Sequence, residues 1–329
     1  MAAGGDTREL MIIGVDLGGT KIEAVLARRS AQGLDVLVRR RIPTERDRGY
    51  DAVLAAVAAL IQSVAAEAGL DVATVPIGVG MPGGVTRRGG LIKNSNTVCL
   101  NGRPFRSDLT NVLGRAILFD NDASCFALAE ARLGAAAAYS DGVVFGVILG
   151  TGVGGGVVLQ GSIWAGAQGI AGEWGHHAVF HGVRGSDPKA AGAADRGLCY
   201  CGQRGCLEQY ASGPAVEDDY ARRAGARRDL AAIAARRGED PHARAAIEVL
   251  VDAFGRGLAN VITILDPSAV VIGGGVSNLD LLYDEGRARV AEYVFNDELT
   301  TPILRNALGD SAGVLGAALL AATSRSDLP

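Results

Sequence analysis

Two stretches of this chain share one plan, and that repetition constrains the fold more than any other feature. MIIGVDLGGTKIEAVLA (11–27) and VVFGVILGTGVGGGVVL (143–159) each run from a β-branched segment into a glycine turn and out into a second apolar segment. A short apolar run bounded by glycines reads as a buried strand, so each stretch predicts a strand, a tight turn and a returning strand. The duplication implies two related halves. At 329 residues the chain is long enough for two domains, each with its own core.

Further strands are expected over 34–41 after Gly33, over 75–80, and over 269–272 before a glycine run. Helical spacing appears over 51–68, closed by Gly69, and over 213–225 and 242–265. A last helix of Leu and Ala starts at Gly313. RAILFDNDASCFALAEARLG (115–134) reads as a strand leading into a helix, with Asn121 or Asp122 at the helix start. Residues 161–212 are Gly- and His-rich and irregular, as functional insertions often are.

Charge excludes one class of partner. The net charge is −4, and Arg39–Arg41 and Arg227–Arg228 have no interleaved aromatics, so they read as solvated faces and no nucleic acid is expected. No apolar run reaches the ~20 uninterrupted residues of a membrane span. The opening MAAGGDTREL lacks the basic and apolar segments of a secretory leader. A cytoplasmic protein with reduced thiols is therefore expected.

That setting bears on CYCGQRGCLE (199–208), which holds three of the five cysteines. Reduced thiols favour a metal over a disulfide. One of His176 and His177 upstream would complete a Cys₃His set, the closed tetrahedron of structural zinc. Cys99 and Cys125 lie among apolar residues and read as ordinary buried thiols. In Asp16-Leu17-Gly18-Gly19-Thr20-Lys21 the freed backbone N–H groups can cradle phosphate, and Asp16 can hold Mg²⁺ through water. A plain hairpin would use the same glycines, and the P-loop spacing is absent. Gly150-Thr151-Gly152 with Gly154–Gly156, and Gly273–Gly275, are second and third turns of this kind. Together the three suggest a nucleotide held between two domains. Asn121-Asp122 is either a helix cap or a carboxylate that accepts a proton from an attacking hydroxyl. Phosphoryl transfer tolerates the weak base that a helix N-terminus makes of an aspartate.

DLGGTK (16–21), MPGG (81–84), FDNDA (119–123), GTGVGGG (150–156), GEWGH (172–176), CYCGQRGCLE (199–208) and IGGG (272–275) occur in an order that resembles the ROK family of bacterial sugar kinases. The resemblance implies an α/β protein of the ribonuclease H-like (actin/hexokinase) ATPase fold, with two domains flanking a cleft. The small domain would be 1–122, completed by a C-terminal helix over 311–329; the large domain, 123–310, would carry a zinc-binding insertion. ATP would lie on Asp16, Gly18, Gly19, Thr20 and Lys21 and on Gly150, Thr151 and Gly152, with adenine near Gly273, Gly274 and Gly275. Asp122 would be the catalytic base, aided by Mg²⁺. Gly84, Asn96, Asn121, Asp122, Glu173, His176 and Glu208 would bind the sugar. His176, Cys199, Cys201 and Cys206 would hold zinc, with the second nitrogen of His176 left for a sugar hydroxyl. A homodimer is also implied.

The reaction expected is ATP-dependent phosphorylation of a hexose 6-hydroxyl. LIKNSNTVCLNGRPF (91–105) and the long segment between His176 and Cys199 resemble fructokinases and mannokinases, so fructose is the expected substrate, with mannose beside it. N-acetylglucosamine, N-acetylmannosamine and glucose are the alternatives. A non-catalytic regulator of the same family is a further one, disfavoured because only ten residues precede Met11 and Asp122 is present.

Overall fold

Each glycine hairpin is the start of a five-stranded sheet, and the two sheets have the same strand order. The computed structural model of the protein describes residues 10–30, 33–86, 88–180 and 196–322. Its contacts divide the chain into two units, one of Met1–Leu133, Gly166–Ile170 and Asp310–Pro329, the other of Gly134–Ala165 and Ala171–Gly309.

In unit 1, β1 (Met11–Leu17), β2 (Lys21–Ser30) and β3 (Gly33–Pro43) form an antiparallel meander. β4 (Ile77–Met81) and β5 (Leu118–Asn121) join parallel to β1, giving the order β3-β2-β1-β4-β5. Every residue of β4 is buried, which explains its unbroken apolar sequence. Helix α1 (Tyr50–Glu67) has the length and apolarity of a membrane span. Here Val53, Val57, Leu60, Ile61 and Val64, at helical spacing, are buried in the core of unit 1 with Ile13, Val15 and Phe105. α2 (Phe105–Leu113) and α3 (Asp122–Arg132) follow. The arginines of β3 are not merely solvated: Arg39 and Arg41 each reach buried Glu23 at 2.7 Å.

In unit 2, β6 (Val143–Leu149), β7 (Val153–Leu159) and β8 (Ser162–Ile163) form the meander. β9 (Ala269–Gly273) and β10 (Ile303–Arg305) extend it in parallel, in the order β8-β7-β6-β9-β10. Its helices are α4 (Glu208–Ala211), α5 (Gly213–Ala224), α6 (Leu230–Arg236), α7 (Pro241–Leu265) and α8 (Glu285–Tyr293). α7 starts where Asp240 accepts from the N–H groups of His242 and Ala243, with Pro241 in the first turn. It buries Ile247, Leu250, Phe254 and Leu258. The sequence pattern did not signal α2, α6 or α8, which at nine, seven and nine residues show too few turns for a period.

The chain then returns to unit 1 as α9 (Ala312–Ala322). Small residues let it approach backbone to backbone. A Cβ on Gly14 or Gly78 would strike the α9 main chain, and one on Gly316 would strike the main chain of Cys125 in α3. This three-way packing of β1/β4, α9 and α3 carries unit 1 through Leu133, past the boundary at 122 expected from the sequence. Cys125 is buried as expected, but Cys99 is only partly covered.

Candidate functional site

In unit 1 the turn after β1 is closed by Gly18 N–H donating to the Lys21 carbonyl at 2.9 Å. Thr44, just past β3, latches it from outside. Its hydroxyl donates to the Gly18 carbonyl at 2.7 Å and its N–H to the Thr20 carbonyl at 3.0 Å. Lys21 Nζ is 3.5 Å from Asp310. Asp16 lies against the first turn of α9, where a Cβ on Gly313 would stand 2.6 Å from its Oδ2. Burial, then the nearby Asp122 carboxylate, then Glu23, push the Asp16 carboxyl up to about 7; Lys21 and Arg41 only partly oppose this. Two carboxylates that repel each other in a covered place fit a divalent cation, which would neutralise both.

Asn121 and Asp122, left open by the sequence, both accept from the Ala123 N–H, Asp122 through Oδ1 at 2.9 Å. Asn121 is the cap: its Oδ1 accepts from Ala123 N–H at 2.9 Å, and its Nδ2 donates to the Gly83 carbonyl at 3.0 Å. Asp122 is the first helical residue of α3. Gly83, at φ 84, backs onto the main chain of Lys93 and Ser95, where a side chain has no room. Ser95 and Asn101 exchange hydrogen bonds of 2.9 and 3.0 Å, which tethers the loop bearing Asn96. Asn96 Oδ1 and Arg46 Nη1 then stand 3.4 and 3.6 Å from where a Gly19 Cβ would be. The fold thus places Gly84, Asn96, Asn121 and Asp122 on elements linked to the Asp16–Lys21 turn. Arg46 went unnoticed in the sequence, where it is one more exposed arginine after a strand.

In unit 2, Gly150 N–H donates to the Gly152 carbonyl at 2.9 Å and Gly213 N–H to the Gly150 carbonyl at 2.8 Å. Glu208 Oε2 accepts from Val153 N–H at 2.9 Å, and a Cβ on Gly152 would lie 2.7 Å from that oxygen. One oxygen of a residue expected at the sugar therefore braces the Gly150–Gly152 turn. Gly274, at φ 84, packs against the main chain of Leu149, which brings the Gly273–Gly275 run beside the end of β6. Ser277 hydroxyl donates to the Gly274 carbonyl at 2.7 Å and locks it. The GEWGH segment is clamped on β7 by Trp174 Nε1 donating to the Gly154 carbonyl at 2.8 Å. Gly175 approaches the Val153 main chain in the same segment. A cavity of about 960 Å³ is lined by Thr151, Tyr200, Glu208 and Ser212 among others.

Of the two upstream histidines, His176 meets the cysteines. One donor atom each from His176, Cys199, Cys201 and Cys206 all lie within 4.8 Å of one another. His176 Nδ1 is 3.7 Å from Cys199 Sγ, and Cys201 and Cys206 Sγ are 3.5 Å apart. Tetrahedral zinc with Zn–S bonds of about 2.3 Å places sulfurs about 3.8 Å apart, so the donor set fits that ion. His177 instead packs on Trp174, with ring centroids 6.4 Å apart, and burial lowers its pKa. The second nitrogen of His176 does not await a sugar: Nε2 is 2.8 Å from the Tyr200 hydroxyl. Of the long segment after His176, residues 181–195 lie outside the described residues.

Two mixed α/β units of one strand order, each with a glycine turn at the same topological place, define the actin/hexokinase-like ATPase class. Within that class, the chain belongs to the ROK family, whose model matches residues 12–324. It is 36% identical over 323 residues to the N-acetyl-D-glucosamine kinase of Vibrio cholerae, covering 94% of this chain and 99% of that protein. The ROK hexokinase of Thermus thermophilus superposes with a TM-score of 0.78 at 31% identity, over 94% of this chain and 97% of that one. A ROK glucokinase of Streptomyces griseus, solved with glucose and AMPPNP, gives 0.72 at 28%, over 95% and 100%.

Proposed function

We propose that this protein transfers the terminal phosphoryl group of ATP to a hydroxyl of free N-acetyl-D-glucosamine. The observation that carries the substrate is the 36% identity over nearly the full length of both chains with an N-acetyl-D-glucosamine kinase. Relatives from Yersinia pseudotuberculosis and Vibrio parahaemolyticus carry the same name. Fructose, expected from residues 91–105 and the segment after His176, has no counterpart among these relatives, and we replace it.

In this reading Asp122 accepts the proton of the sugar 6-hydroxyl as that oxygen bonds to the γ-phosphorus and the bond to ADP breaks. Asp122 Oδ1 shares the Ala123 N–H with the Asn121 cap, each at 2.9 Å, which holds its carboxylate in a fixed direction at the start of α3. Asp16 with the Gly18–Lys21 turn, the Gly150–Gly152 turn and Gly273–Gly275 serve the nucleotide. Mg²⁺ held near Asp16 would neutralise charge on the transferred phosphoryl group. Gly84, Asn96, Asn121, Glu173 and Glu208 serve the sugar, and His176 serves the metal, its second nitrogen being taken by the Tyr200 hydroxyl. Glu208 has an oxygen beyond the one on Val153 N–H with which to meet it. Zinc on His176, Cys199, Cys201 and Cys206 would tie the GEWGH segment to the start of α4, and so place Glu208. A cytoplasmic homodimer is the assembly we propose, to be tested by light scattering.

The deciding assay is kcat/KM for N-acetylglucosamine, N-acetylmannosamine, glucose, mannose and fructose at fixed ATP and Mg²⁺. N-acetylglucosamine is expected to lead, because a site built for an acetamido group leaves polar atoms unpaired with the other sugars. A higher value for fructose or glucose overturns the substrate; no transfer to any sugar overturns the reaction.

A further inference from the structure

The cysteine segment carries one aromatic residue that neither a four-ligand metal nor the glycine turns require. Tyr200 sits between Cys199 and Cys201, and 65% of its surface is exposed. An exposed tyrosine has no packing reason to adopt one position, yet this one is specifically engaged. Its hydroxyl is 2.8 Å from His176 Nε2, and its ring meets the imidazole edge-on with centroids 5.0 Å apart. The other ring nitrogen, Nδ1, is turned toward Cys199 Sγ, into the cluster of four donor atoms.

The chemistry of imidazole connects these facts. A neutral ring that gives Nδ1 to a metal carries its proton on Nε2, and that N–H needs an acceptor. The phenol oxygen of Tyr200 is placed to be it. We propose that Tyr200 is a positioning residue of the metal centre. It holds His176 as the Nε2–H tautomer, fixes the ring plane that points Nδ1 at the ion, and so prolongs the lifetime of bound zinc. Hydrogen-bonded partners of metal-ligating histidines act in this way generally, and removing one costs 10–100-fold in metal affinity. The hydroxyl also occupies the nitrogen expected to face the sugar, so the contact lies at the edge of the cavity lined by Thr151 and Glu208. This inference rests on the zinc part of the proposed function and on nothing in the choice of sugar.

The test is zinc release from the holoprotein. Metal content is first measured by mass spectrometry on protein prepared without chelators and on protein incubated with Zn²⁺. The first-order rate of release to a colorimetric chelator is then compared for the parent, Tyr200→Phe and Tyr200→Leu. Tyr200→Phe keeps the ring and deletes only the acceptor, and at so exposed a position it leaves the fold intact. We expect release about 10–100-fold faster in Tyr200→Phe. Long-range ¹⁵N–¹H spectra of the parent should show His176 protonated at Nε2, with that proton exchanging faster in the variant. A parent that takes up no zinc overturns the metal reading and this inference together. A parent that holds zinc, with Tyr200→Phe releasing it at the parental rate, overturns this inference alone. Faster release in Tyr200→Leu only would likewise reduce Tyr200 to a packing role.

Discussion

Replacing Asp16 with Asn should abolish phosphoryl transfer and yet make the ligand-free protein more stable at neutral pH. The Asp16 carboxyl is pushed up to about 7 by burial and by Asp122 and Glu23. In the unfolded chain it titrates near 3.8, the ordinary aspartate value. The folded state thus binds this proton more tightly than the unfolded state does, so stability falls as pH rises across that interval. The contribution is fully present below about pH 3.8, is lost progressively as pH rises to about 7, and stays lost above. At 1.36 kcal/mol per tenfold change in proton affinity the full loss is about 4 kcal/mol. Asp16 keeps some solvent access, so screening reduces the expected value to about 2–4 kcal/mol. Asparagine resembles the protonated acid in shape and carries no charge, so the variant escapes this loss. Thermal unfolding of parent and Asp16→Asn, without ATP or Mg²⁺, from pH 4.5 to 8.5 provides the assay. The difference in Tm should favour the variant and grow with pH, levelling off above pH 7 at several degrees, given about 2–4 °C per kcal/mol for a unit of this size. A difference that is flat with pH, or that favours the parent at pH 8, refutes the account of Asp16 as a carboxylate held under strain for a cation.

Asp122→Asn should lower kcat by at least about 100-fold with little change in sugar KM or Tm; turnover within a few-fold of the parent shows that Asp122 is not the base. Gly152→Ala sets a Cβ 2.7 Å from Glu208 Oε2 and must push it off Val153 N–H. Losing a hydrogen bond to a charged group, worth about 1.5–3 kcal/mol, should raise KM for sugar as well as ATP by about 10–100-fold. An unchanged sugar KM severs the two turns functionally. Cys201→Ser should lower zinc content below one ion per chain and raise sugar KM, measured by mass spectrometry and kinetics on the same sample. Gly316→Val drives a side chain into the Cys125 main chain, so urea unfolding should show a loss of about 3 kcal/mol; a change under about 0.5 kcal/mol refutes the three-way packing of α9.

Much of this protein is decided within short windows of its sequence. The two strand–glycine–strand units, the long apolar helices and the Cys₃His spacing are local properties, because period, turn chemistry and ligand count involve residues near one another in the chain. What remained open were choices between local equivalents. Asn121 and Asp122 are equally good caps on paper and both accept from Ala123 N–H, and only the bond from Asn121 Nδ2 to the Gly83 carbonyl tells them apart. His176 and His177 are adjacent, and the clamp of Trp174 on Gly154 decides which faces the cysteines. Glu208 reads as a sugar ligand alone until β7 places Val153 N–H against one of its oxygens. Arg39 and Arg41 read as solvated until β2 sets Glu23 beneath them. Asp16 is an ordinary acid until α9 returns from the far end of the chain to cover it. Each of these depends on partners tens to hundreds of residues away, whose identity no periodicity encodes. A side chain's partner and its proton affinity belong to the packed structure, and there only folding decides them.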